Sequence, residues 1–350
     1  MGGQADTREP KPKNGGALRI FLILFAVAAV LAVAAGGALL GGYAWLQARF
    51  TEPGPVAEET TVLLPRGAGL ITIAEQLEDE DLITDARIFR VAVTLDGGDR
   101  SLRAGEFAIP ENASMAEIYD ILRFGEFVQH AVTVPEGRTS AMIVDIVNAT
   151  EVLTGEIEAV PPEGSLLPET YLVDRGTPRQ AVIDRMAAAQ DALLDELWPN
   201  RDPDLPIDTR EEALILASIV EKETGVGAER PLVASVFINR LNRGMRLQSD
   251  PTIIYGISQG EALGRGIRRS ELDDTDNAYN TYQIDGLPPP PIANPGRAAI
   301  AAVLNPPESD YFYFVADGTG GHAFSRTLAE HNRNVANWRR IERERRRNGG

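Results

Sequence analysis

The chain has 350 residues, which is enough for two domains of ordinary size, each with its own core. It has no cysteine and only three scattered histidines, so thiolate metal sites and disulfides are excluded and we expect no metal or other cofactor. The formal net charge is -17, and because residues 1–19 (+2) and 339–350 (+4) are basic, residues 20–338 carry -23. Such an acidic body repels phosphates, so we do not expect it to bind nucleic acid.

An uncharged apolar segment runs from Ile20 to Leu46 and is longer than the roughly 20 residues that a spanning helix needs. Four basic residues precede it, which predicts a cytoplasmic tail over residues 1–19 by the positive-inside rule: Arg8, Lys11, Lys13 and Arg19. A cleaved signal peptide is the alternative, but its apolar region is typically about 7–15 residues long. We therefore predict a transmembrane helix over residues 20–43, with the following residues outside the cytoplasm.

A proline-containing segment follows, and we assign residues 44–59 to a short extended tether. Three later segments, which begin at Thr61, Gly105 and Val132, share one layout of apolar strand, proline, polar turn and amphipathic helix. Aliphatic residues recur eight and twelve positions after each proline, a spacing that forms one helical face. These positions are Ile73 and Leu77, Ile118 and Leu122, and Ile143 and Val147.

The first of these segments continues with a second predicted helix and a returning strand. The order β-α-α-β over about 50 residues resembles a LysM domain, a small fold that binds N-acetylglucosamine chains, and we predict a LysM-like subdomain over residues 60–127. Apolar spacing alone is equally typical of a structural or partner-binding module. Both interpretations stay open at this point.

The segment "DTREEALILASIVEKETG", which starts at Asp208, predicts a buried helix, because eight consecutive residues from Ala213 to Val220 are apolar or small. At 100° per residue, Glu223 lies within about 60° of three large aliphatic residues, whereas Glu221 lies about 160° away. Those aliphatic residues are Leu216, Ile219 and Val220.

A carboxyl group beside such an apolar face loses hydration, so its pKa should rise, and a protonated glutamate near neutral pH can act as a general acid. Glu223 is therefore the first candidate for catalysis. The alternative is a structural ion pair of Glu223 with Arg230 or Arg240. We expect Glu221 to be a supporting or solvated acid on the opposite face.

Two downstream loops are rich in hydroxyl and amide side chains, which suit sugar hydroxyl and acetamido groups but also occur in ordinary surface loops. The first contains Gln248, Ser249 and Asp250, and the second contains Asn280, Thr281 and Tyr282.

Long gapless motifs in this half of the chain, together with the N-terminal apolar segment, resemble the YceG-like endolytic murein transglycosylases over about residues 18–340. The motifs are "LASIVEKETGVGAERPLVASVFINRLNRGMRLQSDPTIIYGI", "YNTYQIDGLPPPPIANPG" and "YFYFVADGTGGHAFSRTLAEHN".

The resemblance implies an α+β fold with a transmembrane helix, a LysM-like subdomain, a larger catalytic domain over residues 128–340 and a basic tail over 341–350. It implies a protein anchored in the bacterial inner membrane by a single helix, with its catalytic domain in the periplasm. Such an enzyme cleaves nascent peptidoglycan strands between N-acetylmuramic acid and N-acetylglucosamine, forms 1,6-anhydro ends and terminates glycan polymerisation. The implied partners are the strands and cell-wall synthases, the penicillin-binding proteins.

The resemblance also implies that Glu223 is the catalytic residue, acting first as acid and then as base, without a cofactor. The six loop residues named above become candidates for binding sugars or orienting Glu223, and Glu169 becomes a candidate supporting acid. Two alternatives remain: a non-enzymatic glycan-binding scaffold for synthases, and a hydrolytic muramidase, which would need a second carboxylate.

Overall fold

The computed structural model describes residues 15–348, with side chains described for residues 18–347. Within this range the fold is a mixture of α-helices and three two-stranded antiparallel sheets. The chain divides into two compact units, Met1–Val128 and Gln129–Gly350. Three basic residues of the predicted cytoplasmic tail, Arg8, Lys11 and Lys13, lie outside the described residues.

Helix α1 (Gly15–Thr51) contains the predicted membrane segment. By length and composition, the part of the helix from Leu18 onward could cross a membrane. The helix does not end at residue 43. It continues through residues 44–51, which we had assigned to the tether, because no proline interrupts it before Pro53. Leu46 and Phe50, one turn apart, are buried in the core of the first unit, and this packing stabilises the extension.

The first unit contains the β-α-α-β order predicted for residues 60–127. Strands β1 and β2 pair antiparallel, with Val62 opposite Phe107, and both of these side chains are buried. A capping box between Ser114 and Glu117 starts the last helix of this unit. The elements are β1 (Thr60–Leu64), α2 (Leu70–Asp79), α3 (Ala86–Leu95), β2 (Gly105–Ile109) and α4 (Met115–Phe124).

The second unit begins with another strand–turn–helix segment, and its strand β3 pairs antiparallel with β4. The three repeated segments therefore have the predicted layout, and all six aliphatic positions of the repeat are buried. The elements are β3 (Gln129–Thr133), α5 (Ser140–Ala149), β4 (Thr170–Asp174) and α6 (Arg179–Leu197), which a short 3-10 turn (Trp198–Asn200) follows.

A helix that is apolar nearly all round, α7, lies at the centre of the remaining structure. It packs against α8, α9 and α11, and every residue from Ile215 to Val220 is buried. The remaining elements are α7 (Arg210–Glu223), a 3-10 turn (Gly227–Glu229), α8 (Arg230–Asn242), α9 (Asp250–Ser258), α10 (Arg269–Leu272), α11 (Arg297–Leu304), β5 (Tyr313–Ala316), β6 (His322–Ser325) and α12 (Leu328–Asn348). Strands β5 and β6 form an antiparallel hairpin.

Candidate active site

The last residues of α7 send their side chains to different partners. Glu221 pairs with the guanidinium group of Arg230 (2.8 Å) and accepts a hydrogen bond from the backbone N–H of Gly296 (3.1 Å). Lys222 donates to the backbone carbonyl of Gly137 (3.1 Å). Glu223 accepts a hydrogen bond from the hydroxyl of Ser249. Only Glu223, therefore, faces the two loops that the sequence suggested for sugar binding.

Glu221 is not a solvated acid, because only 4% of its side chain is exposed. The expected ion pair with Arg230 exists, but it belongs to Glu221 and not to Glu223, and Arg230 also bonds Glu136 (2.9 Å). Helical phase separates the two acids, and of the two roles expected for Glu221 the solvated one is wrong, whereas the supporting one fits its contacts. The face opposite Glu223 is covered by other parts of the second unit, among them the segment that contains Gly296.

Ser249 occupies the N-cap position of α9, but its hydroxyl does not cap that helix. A serine in this position usually accepts a hydrogen bond from the first turn, an interaction worth about 1 kcal/mol. Here the hydroxyl donates to Oε1 of Glu223 instead. Ser249 is 1% exposed and Glu223 is half-buried, and this bond connects the end of α7 to the start of α9. Ser249 therefore does not cap α9, and its hydroxyl holds the carboxyl group of Glu223 in place.

Thr281 holds Ser249 in this position. The Oγ1 atom of Thr281 accepts a hydrogen bond from the Ser249 backbone N–H (2.9 Å), and its backbone carbonyl accepts one from Gln248 (3.1 Å). Thr252 and Thr281 hydroxyls are 2.9 Å apart. Gln248 has a φ of +51°, a left-handed conformation that is uncommon for residues other than glycine. Strain of this kind is concentrated at functional sites, and here the flanking hydrogen bonds maintain it.

A cleft of about 440 Å³ opens beside Glu223, and Gln248, Asp250 and Tyr282 contribute to its lining. The phenol of Tyr282 donates to Oδ1 of Asp250 (2.8 Å). The structure thus brings Glu223 together with three of the predicted loop residues in one cleft, and it places Ser249 and Thr281 directly behind them. A second carboxylate, that of Asp250, shares the cleft with Glu223.

The other side chains of the cleft come from residues within the quoted motifs, of which the sequence suggested only Arg240, and that as an ion-pair partner of Glu223. They are Arg240, Leu247, Tyr313, Phe314, Val315, Leu328 and His331. Arg240 is buried and donates to the backbone carbonyls of Phe312 (2.7 Å) and Leu247 (2.5 Å). It forms no ion pair with Glu223 within the described range, so the second partner suggested for a structural ion pair is engaged elsewhere.

Burial raises the pKa of the Glu223 carboxyl from its ordinary value of 4.5 to about 7. The hydrogen bond from Ser249 and the charges of His322 and Arg240 act in the opposite direction, whereas the negative charge of Asp250 adds to the increase. Glu223 is also the last residue of α7, and the negative end of a helix dipole favours a neutral carboxyl group. A carboxyl group with this pKa can both release and accept a proton at neutral pH.

His322 influences Glu223 through its charge and is held by Glu229, which accepts hydrogen bonds from its Nδ1 (2.7 Å) and its backbone N–H (2.9 Å). Glu229 also accepts a hydrogen bond from the hydroxyl of Thr224 (3.3 Å), the residue after Glu223. This contact connects the end of α7 to strand β6.

Two other candidate residues lie away from the cleft. Asn280 is fully buried, and its side-chain amide donates to the backbone carbonyls of Glu271, Leu272 and Asp274, so it shapes the loop and does not reach the cleft. Glu169 is exposed next to β4 and does not line the cleft. Within residues 15–348, no cluster of three or more histidine or acidic side chains is suited to a metal ion.

Comparison with known proteins gives a consistent result. The YceG-like family model matches residues 62–337. An endolytic murein transglycosylase of Streptococcus pneumoniae serotype 2 (strain D39) is 30% identical over 367 aligned positions, which cover 91% of this chain and 65% of that protein. An endolytic murein transglycosylase of Bacillus subtilis (strain 168) is 30% identical over 335 positions, which cover 85% of this chain and 89% of that protein.

A crystal structure of a yceG-like protein from Listeria monocytogenes is also similar, with 30% sequence identity and a TM-score of 0.49, and the match covers 79% of this chain and 98% of that one. The chain spans about two thirds (65%) of the length of the streptococcal relative. The family match includes α7 and all the residues that line the cleft. The chain belongs to the YceG-like family.

Proposed function

We propose that this protein is an endolytic lytic transglycosylase that cleaves peptidoglycan strands between N-acetylmuramic acid and N-acetylglucosamine and leaves 1,6-anhydro-N-acetylmuramic acid ends. The observation that carries the proposal is the state of Glu223. Its carboxyl group lies in a cleft, has a pKa of about 7 and is held by the neutral hydroxyl of Ser249, and it forms no ion pair with any arginine among residues 18–347. The names of the streptococcal and Bacillus relatives support the same reaction.

The reaction requires one group to act in two protonation states. Protonated Glu223 donates its proton to the glycosidic oxygen, and the bond from that oxygen to C1 of the muramic residue breaks. Positive charge develops at C1, where the 2-acetamido group of the same sugar can stabilise it. The Glu223 carboxylate then removes the proton of the C6 hydroxyl while O6 bonds to C1. Glu223 is protonated again at the end, and no water is consumed.

The charges around Glu223 suit this cycle. Asp250 favours the protonated form that the first step needs, and Arg240 and His322 favour the carboxylate that the second step needs. Ser249 bonds Oε1, which leaves Oε2 free to exchange a proton with substrate. Because the pKa of Glu223 is about 7, both protonation states are populated near neutral pH, and the same carboxyl group can serve as acid and as base.

We propose further that α1 anchors the protein in the bacterial inner membrane by a single pass, with residues 1–19 cytoplasmic and the rest in the periplasm. Residues 60–127 would form a LysM-like glycan-binding subdomain and residues 128–340 the catalytic domain. An anchored enzyme would meet strands as penicillin-binding proteins produce them, and its cuts would terminate polymerisation. The apolar α1 and the β-α-α-β order of the first unit support these assignments.

The test is digestion of un-crosslinked glycan strands by the full chain in detergent micelles, with mass spectrometry of the products. Glu223→Gln should abolish anhydro-ended fragments, since glutamine cannot donate the proton. Glu211→Gln, an exposed change in the first turn of the same helix, is the matched control and should keep full activity. Unchanged activity of Glu223→Gln would refute the assignment.

The presence of Asp250 in the cleft keeps a hydrolytic muramidase as a second candidate, since retaining and inverting glycosidases use two carboxylates. Its product would carry a reducing end and be heavier by one water than the anhydro product. A scaffold without activity would instead bind strands and release no fragments. The same digestion therefore separates all three functions.

A further inference from the structure

A histidine that the proposed reaction does not use lines the same cleft as Glu223. His331 lies in the second turn of α12, and its ring stacks on that of Tyr313 with centroids 5.2 Å apart and an angle of 27° between the ring planes. Tyr313 belongs to β5, so a strand and a helix together fix the orientation of the imidazole. A ring held in this way is preorganised for binding.

Neither ring nitrogen of His331 has a hydrogen-bond partner in the part of the chain that the structure describes. Nδ1 is buried, so Nε2 is the nitrogen that can form a hydrogen bond with a molecule bound in the cleft. Because Nε2 bonds no protein group of the described chain, its hydrogen-bonding capacity is available to a molecule in the cleft.

Burial and the charge of Arg240 both favour the neutral form of this imidazole. Burial lowers its pKa first of all, and the positive charge of Arg240 lowers it further. Arg240 cannot move away easily, because two backbone carbonyls hold it, and its guanidinium carbon lies 5.4 Å from the centroid of the Tyr313 ring. Glu223 and Asp250 line the same cleft, but His331 forms no ion pair with either. In a neutral imidazole Nε2 is either a donor or an acceptor, according to the tautomer, and either role suits an uncharged sugar group.

We propose that His331 is a substrate-binding residue, whose Nε2 forms a hydrogen bond with a hydroxyl or acetamido group of an N-acetylhexosamine unit that lies along Tyr313. This inference rests on the proposed function for the class of substrate. It adds a specific contact on the wall of the cleft formed by Arg240, Tyr313 and His331, and it assigns that contact to binding and not to proton transfer.

The test measures the affinity of un-crosslinked glycan strands for the full chain in detergent micelles, on a Glu223→Gln background so that no cleavage occurs. His331→Phe keeps a planar ring for the stack on Tyr313 but removes the hydrogen bond, and it should weaken binding about tenfold, the usual effect of one hydrogen bond. His331→Gln restores a donor and an acceptor and should stay within about threefold of the parent. His130→Phe, in β3 and outside the cleft lining, should have no effect.

Equal affinity of the parent and His331→Phe would overturn the inference, and so would the absence of any strand binding by the parent. If the parent binds and His331→Phe weakens binding, but the active chain releases no anhydro product, the proposed reaction fails and the contact stands. If His331→Phe keeps the affinity of the parent and His331→Gln weakens binding, the residue acts through its stack on Tyr313, which contradicts the proposal. Equal weakening by both variants also contradicts it, because the amide of glutamine would then fail to replace the hydrogen bond.

Discussion

The hydrogen bond from Ser249 to Glu223 gives the sharpest test of the proposed chemistry. This bond favours the ionised carboxyl group and thus keeps its pKa lower than burial alone would set it. With a pKa of about 7, roughly half of Glu223 is protonated at pH 7, compared with about 0.3% for a carboxyl group of pKa 4.5. If protonated Glu223 is the general acid, kcat/KM should be constant below about pH 7 and fall tenfold per pH unit well above it.

Ser249→Ala should move this alkaline decline to higher pH. Hydrogen bonds to charged groups are worth about 1.5–3 kcal/mol, and because the neutral carboxyl group also accepts a weaker bond, we expect a net shift of about one pH unit. The assay is the release of anhydro ends from un-crosslinked strands, measured from about pH 5 to about pH 9. Ser249→Thr, which keeps the hydroxyl, is the control and should keep the position of the decline even if its rate is lower.

The position of the decline is informative even when a substitution lowers the absolute rate, because it depends on the pKa of the free enzyme. A profile of Ser249→Ala that coincides with that of the parent, or that moves to lower pH, would refute the role assigned to this bond. It would also show that some group other than Glu223 controls the alkaline decline.

Three further predictions concern charge. Asp250→Asn removes a negative charge that raises the pKa of Glu223, so the alkaline decline should move to lower pH, and a shift to higher pH would contradict this. The contribution of protonated Glu223 to stability is complete below about pH 4.5 and is lost as pH rises through about 7, because the buried carboxyl group then ionises. Glutamine cannot ionise, so Glu223→Gln should stabilise the fold by up to about 3 kcal/mol at pH 8 and by less than about 1 kcal/mol at pH 5. Unfolding experiments at both pH values measure this difference. Arg230→Met leaves the buried Glu221 carboxyl group without its ion-pair partner and should destabilise the fold by about 2–4 kcal/mol, whereas a loss below about 0.5 kcal/mol would show that Gly296 alone suffices.

Local patterns were sufficient to predict the helices and strands of the first unit, the strand and helix that begin the second unit, and α7. The repeated strand–turn–helix segments and the apolar helix α7 followed from periodicity and from proline and glycine positions, because both act over a few residues. Residues 44–51 are helical although the sequence predicts an extended tether there, since Leu46 and Phe50 pack into a core that forms only in the folded unit. A sequence pattern contains no information about a contact of that kind.

The candidate site divides in the same way. Helical phase made Glu223 the first candidate, and composition and the resemblance indicated the two loops. None of these could show that the hydroxyl of Ser249 bonds Glu223 instead of capping α9. The same holds for Arg240, Tyr313 and His331, which come from three separate elements and meet only in the cleft. Residues far apart in sequence have no shared local pattern that could reveal their proximity.

The sequence by itself determined which face of α7 each glutamate occupies, because backbone geometry sets the 100° step between residues. The tertiary structure decided what covers each face. Glu221 meets Arg230 and Gly296 and is a buried structural acid, whereas Glu223 meets Ser249 at the edge of an open cleft. The physical reason is that a pKa depends on desolvation and on nearby charges, and both are set by segments that folding brings together.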